Sequence, residues 1–548
     1  MIKFKFVNSN MEVDSYGVLV KAAERVLSLR GLSVSEDDAD YNVSVSVDEK
    51  LQNDRYILKV ENGNIEISAA NSCAVHAAFG RLMIESSFDG KGGFTPVADG
   101  VIDFTPEKPL RGMYFATHFY NFYHKAPIEK VYEVIEDLAM RGCNSLLVWF
   151  DMHHYTSMKD KDAPELVERL RAMIKYANKI GMGGSLTMLG NEAFADSPEE
   201  LRAEWKPIGR YHDYPGDHYH LEICPNKEGG IEKILEYRRE MLEHFKDLKI
   251  DYVVYWPYDQ GGCTCEKCQP WGSNGFMKLL PHFEGLVKEM MPNTKVIVST
   301  WYFDKFIKGE WDEFYPQMTS DMMKDIPYFM AFFFNGEMPD CIKEKGIPEG
   351  VEFIDFPEIS MYSCSPWGGY GASVLTKFLD TTNSICSHLY KGGFPYSEGI
   401  FEDSNKFIQL GSYTGLYPNA YDALRAWVKF EFCCDDEELY QAILKTETAL
   451  AKGKDRTRES FYCEIADTSD IDFVYETMEK YNKMLPENIT KSRNFRLFYL
   501  RAVVDKELKE CGFYPLRSAK CQEAMKEINE IYYTDERTKS WVMAPYGI

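Results

Sequence analysis

The chain has 548 residues, more than one hydrophobic core usually serves, so roughly two to four domains are expected. Acidic residues outnumber basic ones by 86 to 62, and the resulting net charge of −24 opposes binding to nucleic acid or an anionic membrane, which needs clustered cations. Hydrophobic residues make up 45% and aromatics 14%, enough for sizeable cores and for stacking on flat ligand faces, sugars among them.

The first residues, MIKFKFVNSNMEVDSYG, lack the apolar core of a signal peptide, and no run approaches the roughly 18 apolar residues of a membrane span. Fourteen cysteines without an export signal read as reduced thiols plus one metal cluster, not a disulfide framework, so a cytoplasmic location is expected. Self-association as a homo-oligomer is left open.

Residues 1–108 read as a small α/β domain. YNVSVSVD (41–48), YILKVENGNIEISA (56–69) and VADGVIDF (97–104) alternate like strands, with a turn at Glu61-Asn62-Gly63-Asn64. Segments 18–29 and 74–84 have helical spacing. Thr105-Pro106-Glu107-Lys108-Pro109 forms a stiff polar joint.

From residue 109 to 418 strands and helices alternate. Strands are expected at 111–117, 145–151, 184–190, 252–258, 295–301, 328–334, 352–357 and 392–397, with helices at 127–141, 164–180, 229–247 and 273–291. This order suits a (β/α)8 TIM barrel. The span 191–224 is a long excursion, the kind of loop that shapes substrate access. Residues 419–548 read as a helical C-terminal region, with helices at 420–431, 436–452, 470–484, 492–510 and 517–532.

Chemistry on such a barrel sits where the strands stop. The strand ends supply His118, then Asp151, His153 and His154, then Asn191 and Glu192, then Asp259 and Gln260. Trp301 and Asp304 follow the fifth strand, Asn335 and Glu337 the sixth, Glu358 the seventh, and Glu398, Glu402 and Asp403 the eighth. Several acids aimed into one aromatic-rich mouth is what glycoside cleavage needs. One carboxylic acid protonates the leaving oxygen, and a second carboxylate meets the oxocarbenium-like centre. Trp256, Trp271, Trp301 and Trp367 are candidates for the apolar walls that raise a carboxyl pKa. Asp259 is the first catalytic candidate, because it ends an almost wholly apolar strand and precedes Gly261-Gly262. Glu358 is the second, since strands four and seven are expected to face each other, and Glu398 is the third. A strand-end acid is also a common helix N-cap, and Glu402 and Asp403 fit that role.

Cys263-Thr264-Cys265-Glu266-Lys267-Cys268 places three thiols within six residues. Tetrahedral zinc needs four ligands, and Cys224 in LEICPN is the best fourth. A structural zinc tying the third and fourth barrel loops is expected, with free thiols or a redox pair as alternatives. No cofactor is expected in catalysis. His118, Asp151 and His153 are expected to bind sugar hydroxyls, and the spacing of His153 and His154 does not place both on one side of a strand.

These segments resemble a known group. ILKVENGNIEISAANSCAVHAAFGRLM is similar to the small α/β domain that precedes the barrel in family 20 β-N-acetylhexosaminidases, family 84 enzymes and family 67 α-glucuronidases. LRGMYF looks like the start of their first barrel strand. YWPYDQGGCTCEKCQPWG is similar to the Gly-Cys-x-Cys-x-x-Cys loop of uncharacterised barrel proteins grouped near them. The resemblance covers roughly residues 40–420. Family 20 carries Asp-Glu and family 84 Asp-Asp at the fourth-strand end, the first acid orienting the substrate acetamide and the second protonating the leaving group. This chain departs from both with Asp259-Gln260, and glutamine carries no acidic proton. The resemblance then implies Asp259 as acid, Gln260 as a substrate contact, and a partner from a later strand, Glu358 or Glu398, as in family 67. Trp301, Asn335 and Trp367 complete the expected sugar contacts.

The expected function is a glycoside hydrolase, exo-acting on an oligosaccharide or glycoconjugate. Two other classes stand beside it: a metal-dependent barrel lyase or isomerase using His118, Asp151, His153 and Glu398, and a non-catalytic carbohydrate-binding relative, for which the amide at 260 argues.

Overall fold

In the computed structural model, the described residues are 1–117, 120–204, 221–259, 262–304, 308–333, 336–360, 367, 371–449, 469–511 and 518–536. The N-terminal part forms a six-stranded mixed sheet in the spatial order 33–34, 3–8, 41–47, 64–69, 56–61, 100–104. The strand Lys3–Asn8 is additional to those expected. Its Lys-Phe-Lys-Phe alternation turns Phe4 and Phe6 into the core, where Phe6 meets Phe79 edge-on. Strands Tyr56–Glu61 and Asn64–Ala69 form a hairpin. Asn62 and Gly63 both take positive φ, 49° and 81°, which matches the right-handed twist of the paired strands.

Helices Val13–Ser28 and Ser72–Glu85 carry this sheet onto the barrel. Gly80 lies so close to the Met140 carbonyl that a Cβ would collide with it, so the second helix packs backbone to backbone against the barrel helix Ile128–Met140. The Arg111 guanidinium, at the start of the first barrel strand, pairs with Asp54 at 2.5 Å. The small domain is thus fixed at the start of that strand, away from the end where the loops meet.

The barrel is closed. Strands Leu110–Phe115, Ser145–Trp149, Gly183–Leu189, Ile250–Trp256, Lys295–Ser299, Phe329–Ala331, Phe353–Asp355 and Tyr390–Gly393 pair in parallel and in chain order, and the first and last close the ring. The eighth strand resumes after Pro395 as Tyr396–Ser397, again alongside the first. Long amphipathic helices follow the first four strands, and each lies within a few residues of the expected range. Among the described residues, short α-helices, Glu310–Phe314 and Asp340–Lys345, follow strands five and six.

Two apolar layers result. Outward residues of the strands join the helices in one large core. Inward residues, among them Leu147, Val254, Ile297, Met330 and Ile354, fill the barrel. At its top this filling turns aromatic: Tyr114, Trp149, Trp256, Phe356 and Tyr396. The C-terminal helices Ala420–Phe432, Glu437–Lys445, Asp470–Met484, Arg493–Cys511 and Ala519–Tyr532 pack on the barrel and also reach the first domain. Arg30 stacks over the Phe430 ring at 3.8 Å and donates to the Phe430 carbonyl at 2.7 Å. Among the described residues, no helix is long and apolar enough to cross a membrane.

Candidate active site at the barrel mouth

The floor of the mouth is aromatic. Trp256, at the end of strand four, lies 5.5 Å from Trp301 and 4.8 Å from Phe356, centroid to centroid. Tyr114 lies 5.5 Å from Phe356 and 5.6 Å from Tyr396. Trp301 stacks on Tyr302 at 4.0 Å. Burial is the main cause that pushes the Tyr114 hydroxyl far above its ordinary value, and the charges of Asp259, Asp151, Glu192 and Glu398 add to it. One phenol thus lies within electrostatic reach of carboxylates from strands two, three, four and eight.

One side of the mouth is built by strands two and three. Asp151 caps a short 3-10 turn, Met152–His154. This turn brings both histidines to the same acid, contrary to the expectation for a strand: His153 Nδ1 lies 3.1 Å from Asp151 Oδ1, and His154 Nδ1 lies 3.3 Å from Oδ2. Glu192 Oε1 accepts from the Met152 N–H at 2.7 Å and lies 3.3 Å from His153 Nδ1. On the far side of the ring, Glu222 Oε1 lies 3.7 Å from His153 Nε2. Burial works against a charged imidazole here, but Asp151, Glu222 and Glu192 outweigh it and raise His153 well above its ordinary value. Burial lifts Glu192 to about 7, against the pull of His153. The His153 side chain is fully enclosed, so the expectation that it binds sugar hydroxyls is corrected. It is the counter-charge of three acids, and Asp151, almost equally buried, is one of them.

The other side is built by strands seven and eight. Glu358 pairs by a parallel bridge with Tyr396, so its side chain stands beside that of the eighth strand. Glu358 Oε1 accepts from the Ser360 N–H at 2.7 Å and the Ser360 hydroxyl at 3.0 Å. Glu398 is buried, accepts from the Tyr396 hydroxyl at 2.8 Å, and is pushed up to about 8, first by burial and then by the charge of Glu358. Its backbone is fixed by Glu402, whose Oε1 accepts from Ser397 Oγ and from the N–H groups of Glu398 and Gly399 at 2.6, 2.8 and 2.9 Å. Glu402 and Asp403 do open the helix Asp403–Thr414, and Asp403 pairs with Arg141 at 2.9 Å.

The fourth-strand loop carries Asp259, half-buried at the rim, and is fixed from below. Gly262 takes φ 61° against the Trp271 ring, where any Cβ would clash. Glu310 ties loop four to loop five: its carboxylate accepts from the Tyr258 hydroxyl at 2.7 Å, the Gly272 N–H at 3.0 Å and the Asp304 N–H at 3.1 Å.

His118, Gln260 and Asn335 lie outside the described residues. Trp256 and Trp301 line the mouth, but the other two expected walls are corrected. Trp271 is fully buried with its indole N–H on the Pro257 carbonyl at 2.8 Å. Trp367 is fully buried with its N–H on Asp505 at 2.8 Å, facing the helix Arg493–Cys511 instead of a ligand. Tyr114, Glu192 and Glu222 are additions. Glu192 had a sequence signal in its strand-end position, whereas Glu222 and Tyr114 had none, because their roles come from long-range packing.

Two donor sets fit a metal ion. Cys224, Cys263, Cys265 and Cys268 place their sulfurs within 4.8 Å of one another, and Asp151, His153 and Glu192 do the same with their nearest atoms. Among the described residues, Glu398 does not join the second set.

No family model matches the chain, and no curated protein matches it. Solved structures do. A family 89 glycoside hydrolase from Clostridium perfringens, solved with GlcNAc-α-1,4-galactose, aligns with TM-score 0.63 at 11% identity over 94% of this chain and 64% of its own length. This chain therefore spans less than two thirds of that enzyme. A family 138 enzyme targeting pectin rhamnogalacturonan II aligns with TM-score 0.53 at 11% identity over 99% of this chain and 76% of its own. A family 20 β-N-acetylglucosaminidase aligns with TM-score 0.52 at 12% identity over 78% of this chain and 91% of its own. The chain shares the fold of barrel glycoside hydrolases.

Proposed function

We propose that the protein is a glycoside hydrolase that removes a terminal sugar from an oligosaccharide or glycoconjugate. The observation that carries this reading is the pair Glu358–Glu398: two carboxyls on adjacent strands, one accepting two donors and the other kept protonated to about pH 8. Environments that push two neighbouring carboxyls apart in pKa leave one charged and the other neutral. In the proposed reaction Asp259, from strand four, gives its proton to the glycosidic oxygen. Strand seven lies three steps round the ring from strand four, not directly opposite as expected, and from there Glu358 faces the anomeric carbon or the attacking water. Glu398 stays neutral beside it, so that only one charge sits in that wall, and donates a hydrogen bond to the sugar. The aromatic floor of Trp256, Trp301 and Phe356 stacks on the ring and keeps the acids poorly solvated. A shared centre for Asp259 and Glu358 is supported by two neighbouring phenols: Tyr114 feels the charge of the first, Tyr396 that of the second, and both feel Glu398.

The test is turnover of aryl glycosides, starting with α- and β-N-acetylglucosaminides. Asp259→Asn and Glu358→Gln should each lower kcat by roughly 10²- to 10⁴-fold. Full activity in both variants would overturn the assignment. Sugar binding without turnover by the unaltered protein, across a broad panel, would replace catalysis with recognition.

A further inference from the structure

Beyond the barrel mouth, we propose that Cys224, Cys263, Cys265 and Cys268 bind one zinc ion as a closed tetrathiolate. This site is independent of the glycosidase reading. A tetrahedral zinc with Zn–S bonds of about 2.3 Å has sulfurs about 3.8 Å apart. The observed Cys224–Cys268 and Cys224–Cys265 separations are 3.7 and 3.9 Å, and all four sulfurs lie within 4.8 Å of one another. A disulfide needs about 2.05 Å, so the spacing is that of a metal cage and not of an oxidised pair. Three of the four cysteines are buried and the fourth half-buried. Four sulfurs with no histidine or carboxylate among them suit zinc in a structural role.

The surroundings suit the charge of such a centre. Asn226 Nδ2 donates to Cys268 Sγ at 3.1 Å, and Asn226 Oδ1 in turn accepts from Lys278 Nζ. Donors to the sulfurs and a cation behind them are what a dianionic zinc tetrathiolate calls for.

The position gives the site its purpose. Cys224 ends the excursion after strand three, and the other three ligands lie in the loop after strand four. The same two loops are stitched a second time by Thr264, whose N–H and hydroxyl both donate to the Glu204 carbonyl, at 2.9 and 2.8 Å. Two residues before Cys224 stands Glu222, the acid that faces His153 Nε2. The intervening Ile223 is gripped on both sides by Asn191: its N–H donates to the Asn191 carbonyl at 2.9 Å, and its carbonyl accepts from Asn191 Nδ2 at 3.1 Å. A metal at the cysteines therefore sets the register of Glu222 against the His153 cluster and pins the loop that begins at Asp259.

The experiment is elemental analysis of the full chain, purified under reductant without a metal-affinity tag. One zinc per chain is expected. Cys265→Ser and Cys224→Ser should lose it, while Cys433→Ser, at a thiol far along the chain, should keep it. If the ligand variants fail to fold, cobalt(II) loaded into the unaltered protein decides: intense visible bands of tetrahedral cobalt with sulfur charge transfer are expected. Absence of zinc after incubation with zinc under reductant, or cobalt spectra without sulfur charge transfer, would overturn the site. Hydrogen exchange after chelation reads the clamp: faster exchange over 221–227 and 262–268, with strand 183–189 unchanged, is expected. Equal exchange with and without metal would overturn the clamping role.

Discussion

At the ends of strands two and three, Asp151, Glu192 and Glu222 surround a histidine; at the ends of strands seven and eight, Glu358 and Glu398 stand together, the first accepting from Ser360 and the second from Tyr396. Both places crowd carboxyls where water is scarce, and both must limit buried negative charge. The first does so with a fixed cation beside the raised acid Glu192, and the second with a held proton. A fixed cation is a structural solution, since removing it leaves unpaired buried charge. A held proton leaves Glu358 as the single charge of its wall, which is why the second place carries the proposed chemistry and the first reads as its support.

The comparison can be broken by experiment. The largest effect is expected from His153→Ala, which strips the counter-charge from the first cluster. Loss of one partner in a buried ion network costs about 3–5 kcal/mol, to be read by urea unfolding at pH 7. Unchanged stability would mean that the acids there are not held by the imidazolium. Next comes Glu398→Gln. Glu398 is raised to about 8 in the fold, while the unfolded chain ionises near the ordinary glutamate value of about 4.3. Between those limits the folded state holds the extra proton, so stability falls as pH rises through the window and levels off above it. The amide removes that slope. The variant should match the parent near pH 5 and exceed it by on the order of 3 kcal/mol at pH 9, read from thermal or urea unfolding at both values. A variant no more stable at pH 9 than the parent would place the proton elsewhere. The smallest effect is expected from Tyr396→Phe. The Tyr396 hydroxyl lowers the pKa of Glu398 by donating to it, so its loss should move the alkaline limb of the activity profile upward by about half a unit to one unit. A limb that does not move would separate Glu398 from the activity.

Much of the barrel was legible because its strands are apolar runs ended by a polar residue, and the stop marks the mouth. Asp259, Glu358 and Glu398 were readable on that rule alone. The hairpin turn at Asn62-Gly63 was readable because those residues tolerate the positive φ that it demands. Trp271 and Trp367 misled, since a tryptophan near a strand end looks the same in sequence whether its N–H serves a ligand, Pro257 or Asp505. The 3-10 turn that gathers His153 and His154 onto Asp151 also escaped, because three residues carry no periodicity. Glu222 escaped for a further reason: its partner lies 69 positions earlier, and only the folded path of the excursion brings them together.

One hydrogen bond bears on when the site comes into being. The Tyr532 hydroxyl, on the last described helix, donates to the Glu398 carbonyl at 2.9 Å across 134 residues, and the Tyr532 ring lies flat on Phe401 at 4.4 Å. The eighth-strand loop is therefore braced by a segment made long after it. During synthesis the barrel strands leave the ribosome first, and domains fold as they emerge. A nascent chain that has delivered strand eight still lacks the phenol that braces the Glu398 backbone, so this loop gains that contact only after the helix Ala519–Tyr532 has emerged.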